Sequence, residues 1–482
     1  MGAALTEAGR KYKTLAANTA LVSLGTVGSK LMMFFMVRFY TGYMSPADYG
    51  TADIITQSAN LLTPLVSLGM AEGVFRFAAM TPDSGRETFT SGIICTLAGT
   101  AVLAFVMPRL PGAAEYGTML TVYVACSCLH SICAQYVRAL GDMAAYAVQG
   151  LINTALVIAF NVALLAVFRL GVTGYVLSVA AADMGCTLWL AAKKRLWRDM
   201  TLRIPRELFR RLAAYSVPLI PTSIFWWIMG VSDRYMISWF IGSAANGIYS
   251  VAGKIPTMLT MLASVFMDAW QLSAVTETQG RRIEHRKFYS RIWSLFQGGT
   301  VVCAAVMIAL APLGVKLLAD EEYYAAYRCV PALTLAMVCS AFSSFMGSVY
   351  VVTGESRRAF RTAMAGAVLN VALNLVLIPS PLGIRGAALA TFVSCLGVFL
   401  VRALSVRQLI AFDQTPRRCA ANLMILTAQA AAMSLELPMQ YALQAAAVTA
   451  LCVLNRAPLI QCARTMPGYL RPAGKHLTSN RR

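Results

Sequence analysis

Ionisable side chains are scarce in the apolar stretches of this chain, so each one found there calls for an explanation. Lys30, Asp53, Glu72, Asp183, Lys254, Asp268 and Arg328 fall inside such stretches, with Arg38, Arg76, Asp233 and Arg234 at their ends. On insertion scales a charge at mid-bilayer costs ~2.5–3.5 kcal/mol, which makes each a functional candidate by default. The cations Lys30, Lys254, Arg76, Arg234 and Arg38 have the chemistry to hold anionic oxygens. The carboxylates Asp53, Glu72, Asp268 and Asp233 could take a proton or a sodium ion, or neutralise those cations. Lys30 could pair with Glu72 or Asp53, Lys254 with Asp268, and Asp233 with Arg234, purely to balance buried charge. Arg328 follows Asp320, Glu321 and Glu322 closely and reads as an interface anchor.

Other chemistries find little footing. Cys126, Cys128, His130 and Cys133 lie close together, but residue 128 points away from the helix face shared by 126, 130 and 133. One helix cannot supply four tetrahedral ligands, so the group reads as packing and no metal is expected. The twelve cysteines sit almost wholly in apolar segments, as soft packing residues rather than a disulfide framework. No G-x-x-x-x-G-K-[ST] sequence is present, which leaves direct nucleotide drive unsupported. Of three histidines only His130 falls within a span, which argues against triad catalysis. No catalytic residue and no cofactor is expected.

The elements that must position these charges follow from composition. Of 482 residues, 58% are apolar and 13% charged, about half the charge usual in a soluble domain. Mean hydropathy is +0.62. At ~20 residues per transmembrane helix, the apolar residues allow at most about fourteen spans. Long continuous apolar runs exclude the alternating pattern of a membrane β-barrel. The fold class is therefore an all-α, polytopic membrane protein. Spans are expected near 15–37, 51–73, 90–107, 117–137, 147–168, 171–192, 212–229, 235–270, 292–313, 325–352, 362–379, 386–401, 419–435 and 439–455. The first is too long for a signal-peptide core and no small-x-small cleavage site follows it.

The formal charge of +20 could suggest a nucleic-acid partner. Its distribution says otherwise. Counted by alternate loops and tails, 32 of the 41 Lys and Arg fall on one side and six on the other. Such a bias places both termini in the cytoplasm and requires an even number of spans. The most basic loop, Lys193 to Arg211, reads as a cytoplasmic linker drawn to anionic headgroups.

The chain also repeats itself weakly. Tyr136-Val137, Gly141-Asp142 and Tyr146 are echoed by Tyr350-Val351, Gly354-Glu355 and Phe360. Asn161 with Gly171 and Gly174 is echoed by Asn374 with Gly383 and Gly386, an offset of about 210 residues. Pro46-Ala-Asp-Tyr-Gly50-Thr-Ala52 loosely parallels Ala245-Asn-Gly247-Ile-Tyr-Ser-Val-Ala252. Six helices per repeat give both halves the same topology, as parallel repeats about an axis along the membrane normal. The expected organisation is a six-helix lobe over 1–192, a basic linker over 193–211, and a second six-helix lobe over 212–410. Two extra helices and a basic tail occupy 411–482.

Several stretches resemble polysaccharide flippases of the Wzx type. Tyr43-Met-Ser-Pro-Ala-Asp-Tyr-Gly50 and Gly69-Met-Ala-Glu-Gly-Val-Phe-Arg76 are similar to the family's first loop and the end of its second span. Asp233-Arg-Tyr-Met-Ile with Gly247-Ile-Tyr-Ser-Val-Ala-Gly-Lys-Ile-Pro256 resembles its seventh-to-eighth helix region. Asn370-Val-Ala-Leu-Asn-Leu-Val-Leu-Ile-Pro379 and Gly383-Ile-Arg-Gly-Ala-Ala-Leu-Ala-Thr391 resemble a signature shared across the multidrug/oligosaccharidyl-lipid/polysaccharide exporter superfamily. The resemblance implies a MATE-like fold that flips an undecaprenyl-pyrophosphate-linked oligosaccharide from inner to outer leaflet by alternating access. It implies a bacterial cytoplasmic membrane, membrane lipids as surroundings, and H+ or Na+ and glycan-assembly proteins as further partners, with no nucleic acid. The nearest rivals are a peptidoglycan lipid-precursor flippase and a cation-coupled drug exporter. From another class comes a membrane-embedded glycan polymerase or ligase, which short outer loops disfavour.

Overall fold

The computed structural model describes residues 28–109, 115–201, 205–276, 282–353, 355–436, 438–458 and 460. Within its helices, the side chains of 268–276 and 282–285, with Trp226, Val351, Val352 and Ser356, lie outside the description, as does that of Pro82 in a short turn. Asp268 is among them. The described residues form helices throughout, with no strand.

Each expected span is met by a helix or a broken helix where it falls on described residues; residues 15–27 of the first lie outside them. The first seven are α1 (28–43), α2 (Pro46–Val66), α3 (Met70–Met80), α4 (Gly85–Val106), α5 (Gly117–Ala139), α6 (Met143–Asn161) and α7 (Gly171–Lys194). Then come α8 (Arg206–Ser216), α9 (Ile220–Phe240), α10 (Ser243–Thr276), α11 (Arg282–Ala309) and the short α12 (Ala311–Leu318). The series ends with α13 (Val330–Thr353), α14 (Ser356–Leu377), α15 (Ile384–Leu409), α16 (Pro416–Ser434) and α17 (Gln440–Leu454). Among the described residues nine helices are long and apolar enough to cross a membrane, or eleven if each bent pair is one span. α1, α16 and the shorter α17 lie where three further spans are expected, so the observed helices are roughly consistent with fourteen.

Two spans are bent. Pro64 removes a hydrogen bond near the end of α2, and Leu68 and Gly69 take left-handed φ of 48° and 65°. The chain turns by 49° into α3. The other bent pair, Arg206–Phe225 and Trp227–Phe240, turns by 43° within α9 rather than at the prolines Pro218 and Pro221 that precede it. α3 and α8 then meet through small residues, because a Cβ on Gly73 would lie 2.2 Å from the Ser216 hydroxyl.

The described residues divide into two compact units. One runs through Ser250 and includes Leu317–Tyr323; the other comprises Val251–Lys316 and the residues from Tyr324 onward. Aromatic stacking dominates the core of the second: Trp293, Phe296, Phe342, Phe345 and Phe399 form ring pairs 5.1–6.3 Å apart. Buried amides tie α16 and α17 to it, with Asn422 and Asn455 exchanging hydrogen bonds and Gln429 donating to Gln444 and to the Ala305 carbonyl.

The Gly-x-x-Gly repeat has one structural meaning in both units. Gly171 and Gly383 take φ of 54° and 52°. Three residues on, a Cβ would meet the backbone of the preceding helical segment, 3.0 Å from the Leu164 oxygen at Gly174 and 2.4 Å from the Leu377 oxygen at Gly386.

Candidate functional site

The first unit brings α2, α9 and the opening turns of α10 together where glycine lets backbones touch. A Cβ on Gly50 would lie 1.9 Å from the Ser243 carbonyl oxygen, and one on Gly247 would lie 2.0 Å from that of Pro46. Neither distance admits a side chain. Each glycine sits on one of the two loosely parallel stretches noted in the sequence.

Below this crossing lies a buried charge network. Asp53 is seven residues into α2 and Arg234 six residues from the end of α9, so both sit about 10 Å inside their helix ends. The Arg234 Nη1 donates to Asp53 Oδ1 at 2.5 Å, with the two side chains 20% and 10% exposed. The other carboxylate oxygen accepts from the Ser250 hydroxyl at 2.8 Å and from the Asn246 amide at 3.4 Å. Asn246 also donates to the Gly50 carbonyl at 3.0 Å. The Tyr249 hydroxyl donates to Asp233 Oδ2 at 2.6 Å. Further along, Tyr235 bonds the Ser58 hydroxyl at 2.6 Å and Trp227 donates to the Gln57 carbonyl at 2.8 Å. α9 is thus laced to α2 over several turns, and α10 is held through the same carboxylate.

Three of the nine sequence candidates, Asp53, Asp233 and Arg234, meet here. Two details correct the sequence reading. Asp233 and Arg234 lie inside α9, which runs on to Phe240, rather than at a helix boundary. Their charges mimic a loop but are balanced by neighbouring helices. The guanidinium also forms its ion pair with Asp53, not with adjacent Asp233, and this gives Asp53 a partner other than Lys30.

The remaining candidates stand apart from this network. Lys30 is exposed on α1; Lys254 is half-buried on α10 and belongs to the second unit. Neither makes a hydrogen bond or ion pair among the described residues. Arg38 donates to the Ala319 carbonyl, where Leu317–Tyr323 covers the end of α1. Glu72 and Arg76 are exposed on α3, with the Arg76 guanidinium 4.4 Å over the Tyr215 ring. Arg328 pairs with Glu436 at 2.7 Å rather than with the nearby acids.

The partners Asn246, Tyr249 and Ser250 escape a search for charge, although their spacing puts them on one helical face. A second buried cluster also goes beyond the sequence reading. His130 on α5 places Nδ1 3.1 Å from Asp183 on α7 and Nε2 2.7 Å from the Gln149 oxygen on α6. Asp183 accepts further from Asn153 at 2.8 Å and from Ser127. His130 is therefore a tie between helices, and no group of metal-holding residues occurs among the described residues.

Residues 15–270 match the family described as polysaccharide biosynthesis protein. The chain belongs to that family. Its solved neighbours share the fold of the exporter superfamily. Lipid II flippase MurJ in an inward closed conformation superposes with a TM-score of 0.65 at 12% identity, covering 92% of this family member and 100% of MurJ. An inward-facing multidrug resistance MATE family transporter of the MOP superfamily gives 0.58 at 14% identity, covering 79% and 95%. A curated relative, an uncharacterised membrane protein of Methanocaldococcus jannaschii, is 24% identical over 187 residues. That match spans 39% of this chain and 43% of the relative, less than half of its length.

Proposed function

We propose that this family member is a flippase that carries a lipid-linked oligosaccharide from the inner to the outer leaflet of a bacterial cytoplasmic membrane, with both termini cytoplasmic. Membership of the polysaccharide biosynthesis family carries the reading, and the scarcity of other chemistry agrees with it. Lys30 and Lys254, without partners among the described residues, are the cations to which a pyrophosphate headgroup is assigned. Asp53, Arg234, Asn246 and Ser250 act as a latch: three helices share one carboxylate, and parting α2 from α10 exchanges those bonds for water or substrate. Alternating access needs a contact of this kind, strong when made and replaceable when broken. A proton or sodium ion entering in exchange would compete for the same carboxylate, and glycan-assembly proteins would supply and collect the cargo.

The test is leaflet-resolved. Removing the protein should leave full-length lipid-linked oligosaccharide on the cytoplasmic leaflet, covalently intact. Lys30→Gln and Lys254→Gln should each reproduce that accumulation while the protein still inserts. Full complementation of a flippase-null strain by both variants would sink the assignment of the lysines. Accumulation of a peptidoglycan precursor instead would move the cargo to that class.

A further inference from the structure

The second unit carries an apolar cavity that the proposed transport path does not use. It has a volume of about 230 Å³ and is walled by α13, α15 and α16, with Leu335, Phe392, Ala430 and Leu435 among its lining. Arg328 and Arg385 border it. Arg328 is engaged by Glu436 at 2.7 Å and lies beside the Tyr327 hydroxyl at 3.5 Å. Arg385, half-buried in the first turn of α15, makes no side-chain hydrogen bond or ion pair among the described residues. Two cations and one carboxylate leave one uncompensated positive charge at the edge of an apolar hole.

We propose that this is a binding site for an anionic phospholipid, one acyl chain filling the cavity and the phosphodiester resting on Arg385. A guanidinium can meet two phosphate oxygens at once, and the first turn of α15 adds the positive end of a helix dipole to the same place. The charge decides between lipids. One surplus positive charge matches the single negative charge of a phosphodiester, whereas a pyrophosphate-linked carrier needs more cations than the site holds. A zwitterionic phospholipid would bring its own ammonium against Arg385 and gain little.

The test uses the full-length protein in phosphatidylcholine vesicles doped with phosphatidylglycerol that carries a photoreactive diazirine on one acyl chain. Label is expected on α13, α15 and α16 peptides around Leu335, Phe392 and Ala430, about tenfold above that from a phosphatidylcholine probe. Arg385→Gln should remove most of this excess, Arg385→Lys should keep much of it, and Leu389→Trp, a change at a residue that lines the cavity from α15, should block it. Label elsewhere on the protein reports that each variant remains folded. Equal labelling by the two probes, or undiminished labelling of Arg385→Gln, would overturn the assignment. So would stronger labelling by a photoreactive polyprenyl pyrophosphate, which would make the cavity a carrier site, or full competition by inorganic phosphate.

Discussion

At Asp53 a single carboxylate answers to three helices, and the cost of removing it follows from what it leaves behind. In Asp53→Asn the Arg234 guanidinium stays four-fifths buried without its counter-charge. Breaking one side of such a pair is expected to cost on the order of 3 kcal/mol, whereas removing both charges is far milder. Arg234→Gln should be similarly harmful, and the double variant Asp53→Asn/Arg234→Gln should be more stable than either single one. Thermal unfolding of the solubilised protein measures this; a double variant as unstable as the worse single one would refute the pairing. The same residues show what could be read beforehand. Asp53, Asp233 and Arg234 were legible because a charge in an apolar run is costly wherever it ends up. Asn246, Tyr249 and Ser250 were not, because an uncharged polar residue can satisfy itself in many ways. Only the packing of α10 against α2 and α9 assigns Asn246 and Ser250 to Asp53 and Tyr249 to Asp233.

Elements meet through their glycines, and these separate what sequence can tell from what it cannot. The Gly-x-x-Gly repeat was visible as a pattern, and its positive φ and close backbone approach explain why both halves kept it. Gly50 and Gly247 lay on the two loosely parallel stretches, but nothing there said that their helices touch, since a helical glycine looks like any other until its neighbour is known. Gly50→Ala and Gly247→Ala should each force α2 and α10 apart, at a cost of about 1–3 kcal/mol. Gly253→Ala on the same α10 has open space at its Cβ. It should be neutral, or stabilising by up to about 1 kcal/mol through helix propensity. Equal behaviour of the three in thermal unfolding would argue against the crossing. At the far ends of α6 and α7 a different tie is pH-sensitive. Asp142 caps α6 by accepting from the Ala145 N–H at 2.8 Å and pairs with Lys194 at the end of α7. The Lys194 hydrogen bond, then the Ala145 N–H, hold its carboxyl below the ordinary aspartate value. A depressed folded-state pKa stabilises the fold above the unfolded value, and the gain disappears as pH falls through the folded one. The stability difference between wild type and Asp142→Asn should therefore be full at neutral pH and shrink below about pH 4. A difference that persists undiminished in acid would show that the ionised pair is not its source.

For the whole molecule, net charge reads from the sequence chiefly as a statement about orientation. Thirty-two of 41 cations fall on the side that the sequence reading assigns to the cytoplasm, which leaves the few within spans as the ones proposed to meet cargo. That division has an energetic consequence for transport. With the cell interior negative, each net negative charge carried outward gains about 2.3 kcal/mol per 100 mV. A factor of up to about 50 in the steady leaflet ratio follows for every charge that truly crosses the field. Lys30 and Lys254 change this figure if they travel with the headgroup, because a bound cation cancels the charge it accompanies. If instead the lysines stay nearly fixed in the field while the anion passes between them, the full bias appears. Proteoliposomes with an imposed potassium diffusion potential can tell these apart. An anionic lipid-linked oligosaccharide should redistribute steeply toward the positive side, while a neutral lipid-linked analogue should not respond. A flat response of the anionic substrate in wild type that becomes steep in whichever lysine variant still turns over would mean that the cation moves with its cargo. A flat response in every variant would mean instead that an ion exchanged inward sets the direction, and Asp53, already shared by three helices, would be the first carboxylate to neutralise.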